Sequence, residues 1–163
     1  MIRPAAGHRT PSPVIPIPFT VRHATENRAA QLRTVMRMSG LVGMDGDDVV
    51  LQYRVKTKRT QAWIDLPEAP ESAVSVVRVP LGALRRAELR SGWFRTRLVL
   101  YAADLRAFET LPWPTGSELA LTIPRAERTA AADLASSIEL ALSTRLLDGD
   151  TPTALNPGTR LDD

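Results

Sequence analysis

The 163-residue chain is the length of one domain with a substantial core, and its 44% hydrophobic content is ordinary for a globular protein. It has no cysteine, which excludes disulfides and thiolate metal sites. The net charge of +3 rests on arginine: lysine occurs only at Lys56 and Lys58, so arginine supplies 19 of the 21 basic residues, a balance that bears on solubility and non-specific binding rather than on fold.

Residues 1–19 read as a proline-rich arm. Pro4, Pro11, Pro13, Pro16 and Pro18 remove backbone donors and forbid helix, while Val14, Ile15, Ile17 and Phe19 alternate with proline in an extended pattern. Four large apolar side chains so close together suggest an arm that docks on the body or on a neighbouring subunit. The segment has no continuous apolar stretch of the signal-peptide kind, and no part of the chain approaches the ~18 apolar residues of a membrane-spanning helix, so the chain reads as soluble and cytoplasmic.

Residues 20–30 are polar and carry no clear period. Gln31–Ser39 alternates and reads as a strand; Gly40–Asp48 is rich in Gly and Asp, which is turn chemistry; Val49–Lys56 returns as the second arm of a hairpin. Thr57–Thr60 is a basic polar stretch, Gln61–Leu66 a short strand and Pro67–Ser72 a loop. Further strands follow at Ala73–Pro80, Leu84–Arg90, Arg95–Ala102 and Glu118–Ile123, with a break at Leu81–Ala83, a weaker strand at Leu105–Thr110 and a loop at Pro112–Gly116. A single helix is predicted over Arg125–Leu147. Pro124 suits its start, Ala131, Leu134, Ile138, Ala141 and Leu142 share one face, and Gly149 supplies the stop at C′. Residues 149–163 read as a mobile tail.

This order predicts a mainly β fold with one C-terminal helix. The stretch from Val76 through Leu142 (VVRVPLGALRRAEL, then WFRTRLVLYAADLRAF, then ELALTIPRAERTAAADLASSIELAL) resembles the second half of bacterial pleckstrin-homology-like (PH-like) domains, and the resemblance covers Gln31–Leu147. It implies an antiparallel barrel of about seven strands over residues 20–148, capped by the helix. It also implies a non-enzymatic module, a scaffold that works through protein contacts. The helix lacks the tryptophan that eukaryotic members carry there, so Ile138 and Leu142 are expected to fill that space. Phosphoinositide-binding members place cations around the first hairpin loop. Taking that loop as MDGDD, Asp45, Asp47 and Asp48 would repel a phosphate headgroup, and phosphoinositide is not an expected partner.

Catalytic signatures are lacking in the sequence. His8 and His23 have no partner at metal-ligand spacing, and GMDGDD lacks the ligand set of a calcium loop, with Gln52 where an acidic ligand would stand. No catalytic residue, cofactor or metal is expected. The leading expectation is a protein partner or a second copy of the chain, bound through Val14, Ile15, Ile17 and Phe19 of the arm and through Leu140 and Leu147 on the outer side of the helix. The alternative is an anionic surface, membrane lipid or nucleic acid. Its contacts would be Arg54, Lys56, Lys58 and Arg59 in one group and Arg85, Arg86, Arg90, Arg95 and Arg97 around Trp93 and Phe94 in another.

Overall fold

The computed structural model describes residues 15–149, and the side chains of 15–147. The strands are β1 (Ile17–Asn27), β2 (Leu32–Asp45), β3 (Asp48–Gln61), β4 (Ile64–Asp65), β5 (Ser75–Pro80), β6 (Leu84–Ser91), β7 (Thr96–Ala102) and β8 (Glu118–Ile123). A 3₁₀ turn over Arg125–Glu127 leads into α1 (Arg128–Gly149). The expected plan, mainly antiparallel β with one C-terminal helix, is the observed one.

The expected barrel is not closed. The sheet runs β4-β3-β2-β1-β8-β7-β6, with β5 on the free edge of β3, and β5 does not pair with β6. The 3₁₀ turn Leu81–Ala83 joins these two edge strands, and α1 packs against it and against β6. Edge strands must be covered or blunted. On β6 the helix does this directly, because the backbone N–H of Ala87 donates to Oε1 of Glu139. Ala131, Leu134, Ala135, Ile138 and Leu142 turn one face of α1 into the core, opposite Phe19, Leu51, Leu98 and Leu121 from the sheet. Burying each such leucine, isoleucine or phenylalanine contributes about 1.5–3 kcal/mol.

The largest departures from the sequence reading lie at the start. The body begins at Ile17 rather than after residue 19. Thr20–Asn27, which lacked a clear period, belongs to β1, which pairs with β2 over its whole length, from Ile17 opposite Val42 to Asn27 opposite Leu32. Only the first part of β1 lies over the core, so the rest shows water on both faces and loses its alternation. Gly40 and Gly43 lie within β2, where a turn was expected. Gly40 is a close-approach glycine: a Cβ there would stand 2.0 Å from the Gln52 carbonyl oxygen and 2.7 Å from the Tyr53 Cα. The true turn is Gly46–Asp47, with Gly46 in the left-handed region. Residues 57–60 extend β3. Residues 105–108 form a 3₁₀ turn capped by the Asp104 side chain, which buries Phe108 where a weak strand was expected. The helix assignment runs through Gly149 instead of stopping before it.

Candidate functional site

The first hairpin is β1–β2, and its loop is residues 28–31. Asp45, Asp47 and Asp48 belong to the second hairpin, so the carboxylates invoked against phosphate binding stand on a different loop. They are also engaged: the Arg78 guanidinium is 2.8 Å from Asp45 and 3.5 Å from Asp48, and Arg145 reaches Asp47 at 3.8 Å. These two carboxylates raise the Arg78 pKa further, the Asp45 hydrogen bond contributing most.

The arm residues separate. Val14 lies outside the described residues. Ile15 is exposed, but Ile17 and Phe19 are 1% and 2% exposed within this chain's own core and offer nothing to a partner. Their expected role as contact residues is corrected by the pleat: residues 17 and 19 share the face of β1 that meets Val42 and Gly40 across the strand pair. Leu140 and Leu147 do face solvent, at 70% and 77% exposure, beyond the helix face that packs on the sheet.

Arg54, Lys56 and Lys58 alternate along one face of β3. Each is held by a carboxylate from the end of β4 or the segment that follows it: Lys58 by Asp65 at 2.7 Å, Lys56 by Glu68 at 2.7 Å and Arg54 by Glu71 at 3.5 Å. The Lys58 hydrogen bond, with a second from the Thr60 hydroxyl, holds the Asp65 carboxyl below its usual range, and the Lys56 hydrogen bond does the same for Glu68. The Lys58 ammonium is raised in turn by Asp65. Arg59 lies outside this row, because alternation turns it to the other face.

The second basic group divides in the same way. On the outer face of β6–β7, the guanidiniums of Arg85, Arg86 and Arg90 lie 5.8, 6.0 and 5.7 Å from the centre of the Tyr101 ring. Arg90 donates to the Tyr101 hydroxyl, which donates to Glu88, and Arg90 also faces Glu88 and Glu118 at 3.7 and 3.6 Å. Arg86 faces Glu88 at 3.5 Å. A register shift between Leu84 and Arg86 makes Arg85 the extra residue of a β-bulge and brings consecutive arginines to one ring. This part of the cluster is largely satisfied internally.

Its far end is not. The turn between β6 and β7 is closed by the Gly92 N–H donating to the Arg95 carbonyl at 2.8 Å, which puts Trp93 and Phe94 at the two corner positions. They are 91% and 93% exposed. Arg97 follows directly opposite Arg90. Among the described residues, neither Arg95 nor Arg97 has a carboxylate within 4 Å. Two bare aromatic rings beside two free guanidiniums are the arrangement that single exposed apolar residues do not make.

Sequence reasoning missed a second exposed tip. Gln61 pairs with Ile64, leaving Ala62 and Trp63 as a two-residue hairpin turn with φ of 47° and 70°. Both values are left-handed, as a type I′ turn demands and as Asn-Gly would ordinarily supply. Trp63 is 98% exposed. Gln31, also left-handed at φ 48°, accepts from the Ala62 N–H across the end of the sheet. The signal available in the sequence was the spacing of Thr60 and Asp65 around a central dipeptide, but Ala-Trp carries no turn chemistry.

No group of three or more His, Cys, Asp or Glu that could hold a metal ion occurs among the described residues, and no helix there is long and apolar enough to cross a membrane. In comparisons with known proteins, no family model, curated protein or solved structure matches the chain.

Proposed function

We propose that this chain is a non-enzymatic interaction module of PH-like plan whose working surface is the β6–β7 turn, and that this turn binds an anionic membrane surface. The plan is supported by seven strands of six or more residues followed by one helix that packs on the β6 edge of the sheet. The single observation that carries the binding reading is the turn Gly92–Arg95, with Trp93 and Phe94 bare at its corners and Arg95 and Arg97 unpaired behind them among the described residues. Indole and phenyl rings favour the boundary between headgroups and acyl chains, and each arginine near an anionic leaflet adds about 1 kcal/mol. Nucleic acid fits less well. Single strands stack on rings displayed across a sheet face, and the ring on this sheet's outer face, Tyr101, is already approached by three guanidiniums.

The test is co-sedimentation of the full chain with phosphatidylcholine vesicles and with vesicles containing phosphatidylserine, across a salt series. Binding to the anionic vesicles alone, weakening with salt and lost in Trp93→Ala/Phe94→Ala, is the expected result. Failure to sediment at low salt, or retention of single-stranded DNA in place of vesicles, overturns the membrane reading. A second reading, self-association, is favoured by Leu140 and Leu147, which stand two turns apart on the solvent side of α1.

A further inference from the structure

The segment after β4 has a property that a simple loop does not need. Residues 66–74 span the same edge of β3 as residues 54–59, between the pairs Thr60–Asp65 and Tyr53–Ser75. Nine residues therefore run beside six. The carboxylates at Asp65, Glu68 and Glu71 recur every third residue, while the cations Lys58, Lys56 and Arg54 recur every second. A three-residue period is that of an extended proline-rich chain, and a two-residue period that of a strand. The segment keeps charge register with β3 but cannot keep backbone register, and it bows away from the strand.

The hydrogen bonds record this. The segment donates to β3 through the Leu66 N–H to the Arg59 carbonyl and the Ser72 N–H to the Val55 carbonyl, both at 2.9 Å, while the Val55 N–H donates to the Ser72 hydroxyl. Strand alternation turns Thr57 toward the same side as Val55 and Arg59. Among the described residues, the Thr57 N–H and C=O have no partner on that edge. Pro67 and Pro70 cannot supply one from the N–H side. Between these two anchored ends the edge thus carries an open main-chain donor and acceptor at Thr57, beneath a row of three cations whose charges the strap satisfies.

We propose that this edge of β3, from Arg54 to Arg59, is a docking site for an extended acidic peptide of a partner protein, and that the strap from Asp65 to Ser72 is its displaceable intramolecular occupant. The strap states the chemistry of the partner: carboxylates along an extended chain. A peptide with acidic residues at alternate positions would meet Lys58, Lys56 and Arg54 in the strand's own period and close the hydrogen bonds of Thr57, adding a strand to the sheet. It would answer the charges as the strap does and also pair Thr57, which the strap leaves open. The strap's ion pairs are all solvent-exposed, so each holds weakly and exchange is feasible. This site is separate from the β6–β7 turn, and its fate does not depend on membrane binding.

The test uses the full chain and a fluorescein-labelled ten-residue peptide of alternating glutamate and threonine. Fluorescence anisotropy compares the native chain with Glu68→Gln/Glu71→Gln, which loosens the strap, and Lys56→Gln/Lys58→Gln, which removes the recognition charge. The strap variant should bind about tenfold more tightly than the native chain. The lysine variant should lose binding, and the amide signals of Val55, Thr57 and Arg59 should shift with the strap variant. Equal affinity of the native and strap variants, or shifts confined to the β6–β7 turn, overturns the proposal. So does a strap variant that gains affinity for phosphatidylserine vesicles and none for the peptide.

Discussion

Gly40 shows how much one hydrogen in place of a side chain can fix. It lies mid-strand between Phe19 and Tyr53, and the neighbouring backbone occupies the space a Cβ would need. The obstacle is main chain rather than the end of a flexible side chain, so β2 and β3 must separate to accept any larger residue. Gly40→Ala should cost at least the roughly 1–3 kcal/mol of an overpacked core site, read as a lowered denaturation midpoint with unchanged slope. In the sequence, Gly40 looked like turn material because a glycine's two uses, left-handed backbone and close approach, are spelled with the same letter. Ala62 and Trp63 show the reverse: a left-handed pair without the residues that announce it.

The strap is the element whose behaviour depends most on charge. Asp65 and Glu68 have pKa values depressed in the folded protein by hydrogen bonds from Lys58 and Lys56. Their contribution is therefore fully present above the unfolded carboxyl range of about 4 and is lost as pH falls through the lower folded values. Lys58 is shifted upward, so its contribution holds below the unfolded lysine value of about 10.4 and fades as pH rises through the higher folded one. The strap should stay fastened between about pH 5 and pH 10 and release below pH 4. Amide signals of Val55, Leu66 and Ser72 followed by NMR should move together on acidification while those of Leu98 and Leu100 stay fixed. A strap whose signals do not move before the core melts would show that the ion pairs do not hold it.

At the scale of the whole molecule, the question is whether the chain works alone. Removing residues 1–18 is a poor probe, since it deletes Ile17 from the core, a loss of the kind that costs about 2–5 kcal/mol. The helix leucines offer a clean one, because their side chains are largely exposed. If α1 mediates self-association, light scattering on the full chain should show a defined oligomer that falls to a monomer in Leu140→Ser/Leu147→Ser with thermal stability unchanged. A monomer in both cases leaves the anionic surface and the acidic peptide as the partners to pursue.

The class of fold and its best-patterned pieces were legible in the residues alone. Glu118–Ile123 alternates cleanly because one face is buried and the other is not, and α1 carries its apolar face at helical spacing for the same reason. Which hairpin comes first, that the sheet stays open, and which arginines and lysines are free became visible in the folded chain. Those outcomes rest on pairing between distant segments. β1 gains strand structure from β2 more than from its own pattern, the β6 edge is closed by a glutamate 52 residues away, and the basic row on β3 is answered by carboxylates that local sequence reads as an ordinary loop. Local periodicity reports what one segment buries, whereas charge satisfaction and edge protection depend on which segments meet.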